Sequence, residues 1–309
     1  MRILILGAGG IGGYFGGRLA ASGVDTTFLV RPRRAEQLAR DGLVIRSPVG
    51  DLKLAVNTVQ RDTATPGYDA ILLSCKAYDL TDAIDSIRPA AAGALVIPML
   101  NGVRHLDTLD TAFGAGHVAG GVALIGVDME PDGTIRHLAK GAGLVFGERQ
   151  PAQAETCAAL APILADSGFE GRHTPQIMQE MWEKFVFITA NAGMCCLMRG
   201  NIGEIARTQE GAGLMRDLLA ECAATAKAAG YPPRDASIDR ARRQLTDPQS
   251  ATTASMLRDL RRGGQVEADH VIGDMLARAI AAGVATPLLR AIFTNLQVYD
   301  TQRAASARN

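Results

Sequence analysis

One lysine stands out by its company. Lys184 sits in the run Trp182-Glu183-Lys184-Phe185-Val186-Phe187, which continues through mostly apolar or small residues to Gly193. Burying an ammonium group is costly unless it is paired, hydrogen-bonded or neutralised, so Lys184 either rides a wet helix edge or has a task. Residues three or four apart share a helical face. On that spacing Met178, Trp182, Phe185 and Thr189 make one stripe, while Lys184 joins Glu180, Phe187, Ile188 and Asn191. An ordinary ion pair with Glu180, four residues earlier, is the plain account of the lysine. Acid chemistry is the alternative, because burial can tune a lysine pKa towards neutrality.

A second candidate lies at the N-terminus. Gly7-x-Gly9-x-x-Gly12, with Gly10 and Ile11 inside it, falls between an apolar strand pattern and a helical one. The first glycine suits a tight turn, the second lets backbone N–H groups approach a pyrophosphate, and the third allows helix to pack closely on strand. The ligand charge then meets the positive end of a helix dipole. Flavin and nicotinamide dinucleotides both use this motif. At the end of the second strand, where an acid would grip a ribose 2′-hydroxyl, the chain has Arg31. A guanidinium suits a 2′-phosphate, which predicts NADP(H) over NAD(H). Lys76 and Asn101-Gly102 follow the next two apolar strands, at the sheet edge where open α/β folds bind ligands.

The elements needed to position these residues are of two kinds. Strand patterns fall at Ile3–Leu6, Thr26–Val30, Ala70–Leu73, Leu95–Pro98, Val118–Val127, Thr134–His137 and Leu144–Phe146. They alternate with helical patterns at Ile11–Ala21, Arg33–Arg40, Leu80–Ile87 and Ala154–Asp166, as in βαβ units around a mainly parallel sheet. After Thr174-Pro175, an N-cap followed by a first-turn proline, the strand signals stop. A long helix to about Arg199 is expected there, followed by helices over Gly211–Ala229, Ser237–Leu245, Thr252–Arg262, Val266–Ala282 and Pro287–Tyr299. The polar tail Thr301–Asn309 is expected to fray.

Composition narrows the classes of function. The 309 residues suggest about two domains. Lys plus Arg and Asp plus Glu each total 32, so the basic footprint of a nucleic-acid binder is missing. The short basic clusters Arg31–Arg34 and Arg258–Arg262 suit a small anion better than a polymer. Five cysteines lack paired or zinc-finger spacing and read as reduced packing residues. Glu267, His270 and Asp274 share a face, but a solvated face explains them better than a metal does. Strand pattern from Arg2 leaves no room for a signal peptide, and no apolar run reaches the roughly 18 residues of a membrane span, so a cytoplasmic protein is expected. The helical half offers faces for a homodimer.

The order of these motifs, ending in SMLRDLRRGGQVEADHVIG from Ser255 to Gly273, resembles the ketopantoate reductase (2-dehydropantoate 2-reductase) family over nearly the whole chain. The resemblance implies an α/β Rossmann-type N-terminal domain that binds NADPH, expected over residues 1–172. An all-α C-terminal domain of the 6-phosphogluconate dehydrogenase C-terminal-like kind, expected over 173–309, would close the cleft. It further implies that Lys184 is the general acid, that Glu267 closes onto the active site and cofactor, and that Ser255 holds the substrate carboxylate. Asn101 would stand beside nicotinamide and substrate, Arg31 on the 2′-phosphate and Lys76 near the cofactor. The implied reaction is reduction of ketopantoate to pantoate in pantothenate biosynthesis. Hydride addition to a ketone leaves an alkoxide, and a positioned ammonium can stabilise and protonate it.

One departure bears on the substrate. The family's asparagines four and eight residues after the lysine are Ile188 and Ala192 here, and Asn191 is a partial substitute at best. A site that loses such donors loses discrimination for the hydroxyl it paired. Reduction of a small 2-keto acid is therefore better supported than reduction of ketopantoate itself. A reductase of another oxo acid or an imine, and a non-catalytic NADPH-binding regulator, remain alternatives.

Overall fold

In the computed structural model, which describes residues 1–306, the first strands and helices are β1 (Arg2–Leu6), α1 (Gly10–Ala21), β2 (Asp25–Leu29), α2 (Pro32–Asp41), β3 (Leu43–Arg46), β4 (Leu52–Leu54) and β5 (Asn57–Val59). They continue through β6 (Ala70–Leu73), α3 (Leu80–Ile87), β7 (Leu95–Pro98), α4 (His105–Phe113), β8 (Gly120–Met129), β9 (Ile135–Gly147), α5 (Ala154–Ala165) and β10 (Glu170–His173). Helices follow: α6 (Ile177–Met198), α7 (Ile202–Ala206), α8 (Gly211–Ala228), α9 (Asp235–Leu245), α10 (Ser255–Arg261), α11 (Asp274–Ala281) and α12 (Pro287–Ser306). Two compact units divide the chain, Met1–Leu100 with His105–Glu180 in one, and Asn101–Arg104 with the chain from Met181 in the other.

The first unit contains the parallel sheet expected from the βαβ pattern, in the order β5-β2-β1-β6-β7. Strand order reverses at β1, so the turn after β1 lies at a topological switch point, where ligands bind in such sheets. A second, mixed sheet, β10-β9-β3-β4 with β8 antiparallel on β9, was not expected. Its strands β3, β4 and β10 are too short to show a period, and β9 fuses the anticipated Thr134–His137 and Leu144–Phe146. Their weak middle joins because β8 pairs on both sides of an irregularity between Ile125 and Val127.

Helix α1 packs on β1 and β2 of one sheet and on β3, β8 and β9 of the other. That explains its glycines. A Cβ at Gly13 would strike Ile135, one at Gly16 would press on the Phe28 ring, and one at Gly17 would press on Leu43 and Ile45. Each helical glycine costs about 0.5–1 kcal/mol against alanine. Close burial of Tyr14, Phe15, Phe28, Ile135 and Phe146 offsets this, at about 1.5–3 kcal/mol for a large side chain.

In the second unit, α6 is apolar nearly all round because most of it is buried, including Trp182, Phe185, Thr189 and Cys195. Thr174 Oγ1 accepts the Gln176 N–H at 3.2 Å in the turn before α6, which begins at Ile177 and not at Pro175 as expected. The single helix expected over Val266–Ala282 is instead a π turn, Asp269–Gly273, leading into α11. Gly273 within it lies under the Phe293 ring, where a Cβ would be 2.9 Å from the nearest ring carbon. The tail also differs from expectation: Thr301–Ser306 is helical within α12, and residues 307–309 lie outside the described residues. No helix among the described residues is long and apolar enough to cross a membrane.

Candidate active site

The glycine cradle joins β1 to α1. Gly7 has φ +88°, which favours glycine, and its N–H donates to Leu29 O at 3.0 Å. A Cβ on Gly9 would meet nothing within 4 Å, so the approach to the backbone is open there. Gly12 is closed: a Cβ would collide with Ser74 Oγ and Gly7 O. Ser74, at the end of β6, donates its hydroxyl to Leu6 O at 2.7 Å and so packs the turn from the neighbouring strand. Helix α1 starts at Gly10 with no side-chain cap and no acid in its first turn. An unshielded N-terminus behind an open glycine edge fits an anionic group such as a pyrophosphate.

Arg34, which the sequence offered only as part of a basic cluster, buttresses this turn. From α2 it donates to Ala8 O at 2.9 Å, to Gly133 O at 3.1 Å and to Gln37 Oε1 at 2.7 Å. Desolvation lowers its pKa from the usual arginine value. Arg31, three residues earlier, is largely exposed and faces acids: Asp82 at 3.1 Å and Asp79 at 3.7 Å. Its hydrogen bond to Asp82, then the charge of Asp79, raise its pKa. Lys76 is half-buried at the C-terminal end of β6, where its carbonyl accepts the Asp79 N–H at 2.9 Å.

Lys184 is half-buried on α6. Burial pushes its pKa down from 10.5 to about 8, and the Glu267 carboxylate opposes the shift. Glu180, the plain partner suggested by spacing, is bound to Arg172 at 3.0 Å. Glu267 is buried and comes just before the π turn. π turns frequently mark functional sites. From that turn His270 Nε2 donates to the Asn101 backbone oxygen at 3.0 Å. Desolvation lowers the His270 pKa, against the raising effects of Glu267, of its bond to Asn101 and of Asp274, with Arg104 adding a small lowering. Gly102, at φ +76°, lies against the same places, since a Cβ there would be 3.5 Å from His270 O and 3.6 Å from the Phe185 ring. Asn101–Arg104 therefore belongs with the helices although it follows β7 in sequence.

The rotation of α6 that aims Lys184 is fixed from its other faces. Glu183 is clamped by Arg234 through Nε and Nη2 at 2.7 Å each, and by the Arg234 backbone N–H at 2.9 Å. Trp182 stacks on Tyr231 at 5.4 Å and carries Arg278 on its ring at 5.3 Å. Of the other sequence candidates, Ser255 is exposed at the start of α10, and Asn191 is buried with its Oδ1 accepting the Cys195 thiol at 3.3 Å. Ile188 is half-buried and Ala192 buried along the turns that follow Lys184. Arg34, Ser74 and His270 escaped the sequence reading as site residues, because each acts on a backbone carbonyl far away in the chain.

Two groups invite a metal. Asp274 of the Glu267–His270–Asp274 face is paired with Arg278 at 3.0 Å and His270 is held by Asn101. Glu148, Cys157 and His173 bring one ligand atom each within 4.8 Å of one another. Glu148 and His173 bond directly at 2.6 Å, and burial pushes the Cys157 thiol up to about 12, so it stays protonated at neutral pH. This cluster is a hydrogen-bonded carboxylate and imidazole beside a buried, protonated thiol.

A parallel sheet with a glycine turn at its switch point, followed in the chain by a helical unit carrying a lysine of lowered pKa, fits an oxidoreductase of Rossmann type. The chain belongs to the ketopantoate reductase family: residues 3–151 match its N-terminal model, "Ketopantoate reductase PanE/ApbA", and residues 176–300 match "Ketopantoate reductase PanE/ApbA C terminal". It is 34% identical over 304 residues to "Uncharacterized oxidoreductase YkpB" of Bacillus subtilis (strain 168), covering 98% of this chain and 100% of that protein. The crystal structure of a PanE/ApbA family ketopantoate reductase from Ralstonia eutropha JMP134 superposes with a TM-score of 0.88 at 27% identity, over 98% of this chain and 100% of that one. The ternary structure of D-mandelate dehydrogenase with NADH and anilino(oxo)acetate shares the fold at a TM-score of 0.89 and 20% identity, over 98% and 100% of the two chains.

Proposed function

We propose that this protein is an NADPH-dependent reductase that converts a small 2-keto acid into the 2-hydroxy acid in the cytoplasm, with residues 1–172 binding the dinucleotide and 173–309 carrying the acid and the substrate contacts. The observation that carries the reading is the lowered pKa of Lys184 beside Glu267. An acid poised near neutrality can both hold and release a proton at physiological pH.

The dinucleotide, when bound, supplies a hydride to the keto carbon. Gly7, Gly9, Gly10, Ile11 and Gly12 would hold its pyrophosphate, with Arg31 on the 2′-phosphate and Lys76 near the cofactor. Lys184 gives its Nζ proton to the carbonyl oxygen as negative charge develops there. Glu267 keeps the ammonium oriented and favours its charged form until transfer. The Ser255 hydroxyl would bind the substrate carboxylate. Asn101 would lie beside nicotinamide and substrate, its backbone held by His270.

Ile188 and Ala192 support a keto acid whose side chain is apolar over ketopantoate with its hydroxyl, since neither residue can pair a polar group. Following NADPH oxidation against a panel of 2-keto acids tests both points. Turnover of at least one 2-keto acid, faster for apolar side chains than for ketopantoate, is the expected result. Tight NADPH binding without turnover of any member would replace the enzyme reading by that of a regulator.

A further inference from the structure

Arg31 does not stand alone at the end of β2. Its Nη2 lies 3.1 Å from Asp82 Oδ2 and 3.7 Å from Asp79 Oδ1, while the second oxygen of Asp82 is 3.8 Å from Arg61 Nη1. Two arginines and two aspartates thus form a cluster of zero net charge where a single unpaired cation would serve a 2′-phosphate best. All four side chains are 42–73% exposed. Exposed pairs of this kind are worth about 0–1 kcal/mol, so an incoming anion can displace them.

We infer that Asp79 and Asp82 are specificity-determining residues that restrain the preference for NADPH over NADH by competing with the 2′-phosphate for Arg31. This rests on the dinucleotide reading of the glycine cradle given above. A 2′-phosphate is doubly charged or nearly so, and it must share one guanidinium with two carboxylates that repel it. A neutral 2′-hydroxyl pays no such penalty and can donate to a carboxylate oxygen. The solved D-mandelate dehydrogenase of the same fold holds NADH. In this chain the acids would keep the unphosphorylated cofactor within reach, although Arg31 favours the phosphorylated one.

The test measures dissociation constants for NADPH and NADH by cofactor fluorescence with the full chain, in the unaltered protein, Asp82→Asn, the Asp79→Asn/Asp82→Asn pair, and the pair with Arg31→Ala added. The pair should tighten NADPH by about 3- to 10-fold while NADH moves by less than about 2-fold, the range expected for exposed charges. Adding Arg31→Ala should erase the gain, and so should salt at about 1 M, where the Debye length falls to about 3 Å. An unchanged melting temperature shows that the variants fold. Weaker NADPH binding in the pair, or an equal shift for both cofactors, would overturn the inference and make the acids props for Arg31. If neither dinucleotide bound the unaltered protein, the cradle reading would fail first and take the inference with it.

Discussion

His270 Nε2 holds the backbone oxygen of Asn101 at 3.0 Å across 169 residues of sequence. A carbonyl only accepts, so Nε2 carries the proton, and desolvation lowers the ring's pKa, which favours the neutral imidazole at pH 7. The bond fixes the Asn101–Gly102 segment on the helical unit. His270→Ala should lower kcat by about 10-fold or more through misplacement of Asn101 while NADPH affinity holds, and His270→Gln, which keeps a donor, should recover part of it. Equal loss of kcat in both variants would mean that the contact is not what matters.

Gly9 and Gly12 separate binding from folding. Gly9→Ala meets no protein atom within 4 Å and should leave the melting temperature unchanged while weakening dinucleotide binding. Gly12→Ala drives a methyl into Ser74 and Gly7 and should destabilise the first unit by about 1–3 kcal/mol. Calorimetry and cofactor titration on both variants check the pair, and undiminished affinity in Gly9→Ala would count against a pyrophosphate at this turn.

The substrate face predicts a gain. Ile188 and Ala192 are replaced in the family pattern by asparagines, so Ile188→Asn with Ala192→Asn should raise kcat/KM for ketopantoate by about 10-fold or more relative to an apolar 2-keto acid. Because Ala192 is buried, the variant's melting temperature should also fall. A ratio of activities that did not move would show that substrate choice is made elsewhere.

Lys184 should cost stability. Its folded pKa is depressed, so in the unfolded chain it binds more protons between pH 8 and 10.5, and stability rises with pH through that window. Lys184→Met, which keeps the length and drops the charge, should therefore raise stability at pH 7 by about 1 kcal/mol after allowance for partial solvent access, and should flatten the rise above pH 8. Denaturant titrations at pH 7 and pH 10 give both numbers.

Much of this architecture could be read from residue patterns, for physical reasons that also explain the gaps. β6, β7 and α3 fall on their sequence bounds because buried apolar runs with clear breakers leave little choice. The second sheet did not show, because Leu43–Arg46 and Leu52–Leu54 are too brief to establish a period and gain their order from neighbouring strands. Lys184 was visible as a charge out of place. Its environment was not: the spacing offered Glu180, whereas the carboxylate acting on it is Glu267, which lies far from it in sequence. The same holds for His270 on Asn101, Arg34 on Ala8 and Arg234 on Glu183, which form only once distant segments have packed.

The central claim is that Lys184 supplies the proton. The most direct measurement is the pH dependence of keto acid reduction at saturating NADPH, in the unaltered protein and in Lys184→Ala. The reductive rate should be high on the acid side and fall as pH rises through about 8, where the amine loses its proton, while oxidation of the hydroxy acid should rise over the same range. Lys184→Ala should bind NADPH normally, turn over at least about 100-fold more slowly and lose the inflection. Turnover preserved in that variant, with the same pH profile, would contradict the account.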